Sequence, residues 1–454
     1  MKITLDHYFP VFLAWLDEMS DPREAYRIVY SKRHLVLLGL LMFLLQCGSR
    51  SQLEGDIHTA AFLRNLLALS GTDEDIAATS HAMNYFMEKM NPDQGMSLLP
   101  WLMVNQLVRS RALDDRRNSS GEFMVAVDGV HLHTMEGILP KAVYKQVNGV
   151  AHSVFGALEA KLVTPDGMGF SVCTQFIENE EAYVKQDCEL KAFYRLAETL
   201  KERFPRLPIC LLLDGLYPNK NVLDICAANQ WSYFITLKDG VIPKLHAAAA
   251  RQLAKHPEQS LDDSPEPGVY RHVSWATKLD HEGRPVNVLV CEETTLTKGG
   301  FVKKRFVWLT NARPNRKNAV QLVEEARCRW VIEETFNVQK NNEEYGLEHV
   351  YGRVGHAMKN YYYLLQVAHT LHQLMGRGDL FPRLQRKNVI RKFGERSEEA
   401  KALLAAVAKT TLEHFNTMKN FARRLAESFR TEPFSELATD PAALGAIQIR
   451  FNTC

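Results

Sequence analysis

Two Asp-Gly pairs each follow a compact run of apolar residues, Asp128 in VAVDG and Asp214 in LLLDG. A carboxylate at the end of a buried strand has its backbone fixed by the sheet while its side chain reaches a cleft, the placement that a ligand for a hard metal ion needs. Asp-Gly also opens ordinary turns, and for either pair alone that is the commoner outcome. A third stretch changes the balance. Over 327–340 the pattern is helical, and at about 100° per residue Arg329, Glu333, Phe336 and Lys340 share one stripe. Such spacing usually makes a surface ion-pair ladder; here Trp330, Ile332 and Phe336 around Glu333 predict a partly buried face. His131 and His133 follow Asp128 at period two, but no third His or Cys stands at ligand spacing, so both are read as ordinary side chains of a strand or its exit loop.

The elements that must position these residues follow from periodicity. Up to about residue 113 apolar residues recur at helical spacing, punctuated by turn signals at Cys47-Gly48-Ser49 and Asn91-Pro92-Asp93. The polar stretch 114–121 breaks that pattern and marks a boundary. Beyond it a strand over 123–127 ends at Asp128, and strands over 154–163 and 169–177 flank the turn Pro165-Asp166-Gly167, a three-strand meander. A helix over 182–204, with Leu190, Phe193, Ala197 and Leu200 on one face, leads to a buried strand over 209–213 that ends at Asp214. A short helix over 221–229, a strand over 231–237 and an antiparallel β insertion over 240–313 come next. A long helix starts near Arg316, and helical spacing then continues to the end with a break at 376–382.

Taken with these motifs, the chain resembles the bacterial insertion-sequence transposases that carry a DDE triad. The likeness is to the insertion-sequence-four-like superfamily, whose cut-and-paste members bear a Tyr-Arg-Glu-Lys signature. The most specific match is Arg329-Trp330-x-Ile332-Glu333-x-x-Phe336-x-x-x-Lys340. The Tyr position, three before Arg329, is Ala326, which leaves the triad intact but removes whatever the Tyr does at the DNA ends. The resemblance implies an α/β, ribonuclease H-like (retroviral integrase-like) core over 121–350, with the β insertion between Asp214 and Glu333. Helical regions over 1–115 and 351–454 flank it. It implies Asp128, Asp214 and Glu333 as catalytic metal ligands. They would hold two Mg²⁺ ions about 3.5–4 Å apart, Asp128 bridging both, with Mn²⁺ able to substitute. Arg329 and Lys340 would hold backbone phosphates. Trp275 and Trp308 lie in the insertion, where similar transposases stack an aromatic on a displaced base; no motif selects either, and a core role is the commoner one for Trp.

Composition sets the outer bounds. With 454 residues, 46% hydrophobic and 24% charged, the chain has the make-up of a globular protein. Lys+Arg 55 against Asp+Glu 53 leaves only +2, so any surface for DNA must be local. Arg383, Arg386 and Lys387 lie in the densest basic stretch, 377–396, and Arg23, Arg27, Lys32 and Arg33 form a second cluster. Both are candidate DNA phosphate contacts. The eight cysteines are scattered without a CxxC pair or a secretory signal, which reads as a reducing cytoplasm. The apolar run 35–45 is too short for a bilayer span and predicts a buried helix. The expected function is metal-dependent cleavage at transposon ends and strand transfer into target DNA, by a homodimer assembled on DNA. The alternatives are a catalytically inactive DNA-binding protein derived from such an enzyme and a metal-dependent nuclease without strand transfer.

Overall fold

The computed structural model describes residues 1–238, 240–342, 345–394, 397–407 and 409–431. It divides into two compact units, Leu113–Thr335, and Met1–Ala112 together with the described part of Phe336–Cys454. The two helical regions that the sequence separates thus share one unit, and the division falls inside a helix rather than near residue 350.

The unit Leu113–Thr335 is mixed α/β and is built on one ten-stranded, mostly antiparallel sheet. Its strands are β1 (Phe123–Glu136), β2 (Val143–Val147), β3 (Val150–Val163), β4 (Gly169–Phe176), β5 (Ile209–Leu213), β6 (Ser232–Thr236), β7 (Ser260–Asp263), β8 (Val269–His281), β9 (Arg284–Thr297) and β10 (Gly300–Thr310). They run in the order β2-β3-β1-β5-β6-β10-β9-β8-β7, with β4 also paired to β3. Strands β1, β5 and β6 are mutually parallel and joined by helical crossovers, Glu189–Arg203 and Lys220–Asn229. Parallel neighbours need such crossovers, which cover the sheet's faces; β5 is accordingly buried at every residue.

Several expectations are corrected. β1 does not stop before Asp128: it continues to Glu136, because its ladder with β3 runs from Met124↔Val163 to Glu136↔His152 and overrides the local turn preference of Asp-Gly. The short strand β2, absent from the expected meander, extends the far end of β3. The helix read as 182–204 spans only Glu189–Arg203. The insertion opens with a helix, Pro243–Lys255, and its strands extend the main sheet through β10, which pairs with β6.

The second unit is helical. The apolar run forms the helix Lys32–Leu44, capped by the Ser31 hydroxyl and buried from His34 to Leu44. It packs on the helix Ala357–Arg377, where His372 Nε2 lies 3.0 Å from the Leu44 carbonyl. Asn360 Nδ2 donates to the carbonyls of Met87 and Met90 at 2.8 and 2.7 Å, satisfying helix-end acceptors. Among the described residues no helix is long and apolar enough to cross a membrane.

Candidate active site

Pairing between β1 and β5 ends at Ala126↔Leu212. Asp128 and Asp214 each lie two residues beyond that last pair. Period-two alternation therefore brings them level on adjacent strands, whose axes are about 4.8 Å apart. The two positions differ in backbone: Asp128 is held inside β1, Asp214 follows the end of β5. Asp128 Oδ1 accepts from the Gly129 amide at 2.9 Å, and Asp214 Oδ1 accepts from the Leu216 amide at 2.8 Å, so each carboxylate is held by a backbone amide close to it in the chain.

The helix expected to run unbroken from Arg316 is in two pieces, Ala319–Arg327 and Trp330–Asn337, followed by a wider π turn at Val338–Asn342. The break is made by tight bonds three residues apart, Cys328 N–H to the Glu325 carbonyl and Val331 N–H to the Cys328 carbonyl, both 3.1 Å. It places Arg329 at the start of the second piece. There the guanidinium bridges two carboxylates: Nη2 donates to Glu333 Oε1 at 2.5 Å, and Nη1 lies 3.6 Å from Asp128 Oδ2. Ala326, in contrast, is 2% exposed, on the inward stripe of the first piece with Leu322 and Val323. Trp330 is also corrected: it is 53% exposed rather than part of an apolar surround, and the Arg329 guanidinium lies 5.8 Å from its ring centre. Lys340, in the π turn, pairs with Glu348 at 2.9 Å.

The electrostatics are those of crowded like charges. Burial pushes the Asp128 carboxyl up to about 6; the charge of Arg329 pulls it down, Glu333 pushes it up, the Gly129 amide lowers it and Asp214 raises it further. Asp128 thus feels the charges of both Glu333 and Asp214. Among the described residues, no group of three or more His, Cys, Asp or Glu side chains stands at the spacing needed to hold a metal ion. Cations of the chain itself sit against the carboxylates instead: Arg329 on Asp128 and Glu333, and Lys238 Nζ 3.7 Å from Asp214 Oδ2. The donor chemistry fits a hard divalent cation, since every group is a carboxylate oxygen and excess negative charge helps to raise Asp128.

Sequence reasoning missed Lys238 and Glu189. Lys238 follows β6, and its aliphatic stem covers Gly215, where a β-carbon would lie 3.2 Å from it. Glu189 opens the helix after the meander and packs on Gly129. Neither carries a local signal, although the parallel crossover that brings Glu189 back to β1 is a topological one. His131 and His133 have ordinary roles: one reaches Thr134 at 2.9 Å, the other stacks on Phe155 at 4.4 Å. Trp275 and Trp308 are core residues, 5% and 4% exposed.

The basic clusters differ in availability. Arg23 bonds Asp21 and the Tyr30 carbonyl, Arg33 bonds Asp17, and Lys32 donates to the Asp17 and Met19 carbonyls. In the helix Leu380–Phe393, Arg383 bonds Asp379 at 2.8 Å, while Arg386 and Lys387 are exposed. Arg396 lies outside the described residues.

Residues 183–371 match the family described as Transposase DDE domain. The matched segment, less than half of the chain, holds Asp214, Arg329, Glu333 and Lys340 and begins after Asp128. No curated protein matches the chain. Over that segment the chain is similar to DDE transposases, which supports transposase-type DNA cleavage and transposition in general.

Proposed function

We propose that the chain is a cut-and-paste transposase of the insertion-sequence-four-like kind, with a ribonuclease H-like core and Ala326 in place of the signature Tyr. The observation that carries this reading is the level placement of Asp128 and Asp214 on adjacent parallel strands, with Glu333 joined to Asp128 through Arg329. The strand order β4-β3-β1-β5-β6, with β3 antiparallel and β1, β5 and β6 parallel, supports the core assignment.

Asp128, Asp214 and Glu333 would hold Mg²⁺, or Mn²⁺ in its place. When bound, the ions supply activation of water or a DNA 3′-OH and stabilisation of the leaving oxygen. The chain's own cations do the rest. Arg329, released from Asp128 and Glu333, turns to a backbone phosphate, for which its planar fork is suited; Lys238 does the same beside Asp214, and Lys340 is assigned a backbone phosphate as well. The carboxylates also repel DNA until their charge is balanced, so productive binding of the scissile phosphate and loading of the site go together. Two ends need two sites, so the working form is a homodimer on DNA, in the reducing cytoplasm, with helical regions of one protomer holding the end cut by the other.

The test is Mg²⁺-dependent cleavage of labelled DNA carrying the element's own ends. Glu333→Gln and Asp128→Asn should abolish cleavage and leave end binding nearly intact, since they remove ligands but no phosphate-binding cation. Equal cleavage by variant and parent overturns the reading. Binding without cleavage by the parent itself favours the inactive, DNA-binding descendant.

A further inference from the structure

The three acidic residues of the motif do not exhaust the carboxylates at this edge of the sheet. Glu189 is packed onto the backbone next to Asp128: a β-carbon at residue 129 would fall 2.7 Å from Glu189 Cδ and 3.2 Å from Oε2. The absence of a side chain at Gly129 lets the carboxylate of a neighbouring helix close on β1. Among the described residues Glu189 has no ion-pair partner, and its acidity is weakened by burial, then by the charge of Asp128, then by that of Asp214. A carboxylate that needed only a place at a helix start would face solvent, where charge costs least.

A second, independent feature points at the same space. Tyr217 is 1% exposed and its hydroxyl is buried without a hydrogen-bond partner. Its ring is fixed against Phe193, one turn beyond Glu189 on the same helix, with ring centres 5.0 Å apart. After burial, the charges that do most to weaken its acidity are those of Glu189, Asp214 and Asp128. A buried phenol is normally paired. An unpaired one among three carboxylates from three different elements has a donor to offer to whatever enters between them.

We propose that Glu189 is a fourth carboxylate of the acidic centre, holding a divalent cation through the cation's bound water, with the Tyr217 hydroxyl completing that water's hydrogen bonds. The arrangement uses the space that Gly129 leaves beside Asp128. It also explains why a phenol is left unsatisfied beside excess negative charge. The inference rests on the metal-dependent reading above and adds to it a residue that the DDE motif does not contain.

Calorimetric titration of the full-length chain with Mn²⁺, without DNA, separates the two, with thermal unfolding in EDTA as a second readout. Glu189→Gln is expected to weaken Mn²⁺ binding about tenfold, the scale of outer-shell partners of metal sites, while raising the unfolding temperature in EDTA because a like charge is removed. Tyr217→Phe keeps the ring against Phe193 and should weaken binding by a smaller factor; Glu189→Asp should recover part of the affinity that Glu189→Gln forfeits. Unchanged Mn²⁺ affinity in Glu189→Gln, with weakened affinity in Asp128→Asn, overturns the role of Glu189 and leaves the triad reading standing. Parent protein that binds no Mn²⁺, or an Asp128→Asn variant that binds as the parent does, overturns both. A Glu189→Gln variant that binds more weakly but unfolds at a lower temperature in EDTA assigns Glu189 a packing role and also counts against the proposal.

Discussion

Two charged clusters in the same unit are built on opposite terms. Where the β insertion meets the helix Ala319–Arg327, Arg271 is 8% exposed and bonds Glu293 at 2.9 Å and Glu324, while Arg327 Nη1 reaches Glu293 at 2.6 Å. Burial works to raise the Glu293 carboxyl, but its bonds to Arg271 and the charge of Arg327 hold it below the ordinary carboxylate value. At the edge of β1 and β5 the reverse holds: four carboxylates face two cations, Arg329 and Lys238, Asp128 is raised to about 6, Glu189 is raised, and a buried phenol stays unpaired. Balanced charge fastens an insertion to a helix. Unbalanced charge is strain that a folded chain keeps where something else is meant to bind.

The comparison can be broken most forcefully by removing its two arginines. Arg271→Met should cost about 3 kcal/mol, since it strands Glu293 in a buried pair with only Arg327 left, and neither Mg²⁺ nor Mn²⁺ should restore the loss in urea unfolding. Arg329→Met should cost less, and divalent cation should recover it, because the carboxylates left unpaired are the ones assigned to the ion. Equal rescue, or none, in both variants would erase the distinction.

A weaker but signed effect separates the clusters by pH. The folded-state carboxyl of Asp128 binds its proton more tightly than in the unfolded chain, so its contribution in metal-free protein is full below about pH 4 and is lost as pH rises through about 6. Glu293 is depressed, so its contribution is present above the ordinary carboxylate range and lost as pH falls through its lowered value. Urea midpoints in EDTA should therefore show a falling limb between about pH 4 and 6 that Asp128→Asn removes. An unchanged profile in that variant would contradict the assigned crowding.

The smallest expected effect lies in the helical unit. Reversing the charge of Arg383, Arg386 and Lys387 should weaken DNA binding and flatten its salt dependence, by about 0.9 in logarithmic slope for each phosphate that the helix ceases to neutralise. Arg386 and Lys387 should account for most of it, because Arg383 is already bonded to Asp379. A slope equal to the parent's would remove this helix from the DNA surface.

What could be read in advance was local. The buried run of β5, the helical stripe through Arg329 and Glu333, the apolar helix Lys32–Leu44 and the break before Leu380 all follow from periodicity within a single window. What escaped depends on partners distant in sequence. β1 runs past Asp-Gly because β3 supplies a ladder; Trp330 is exposed because the helix breaks at Cys328; Glu189 meets Gly129 only through the crossover between parallel strands. Lys238 reaches Asp214 by the pairing of β5 with β6. None of these meetings leaves a mark in the residues that flank it.

The central claim is that this edge of the sheet is a cation site guarded by the chain's own arginine. Anomalous scattering from crystals of the full-length protein soaked in Mn²⁺ tests it most directly. The account predicts density for the ion among Asp128, Asp214 and Glu333, with the Arg329 guanidinium withdrawn from the carboxylates it now bridges. An Arg329 still spanning Asp128 and Glu333 at saturating Mn²⁺, with no anomalous peak beside them, would contradict it.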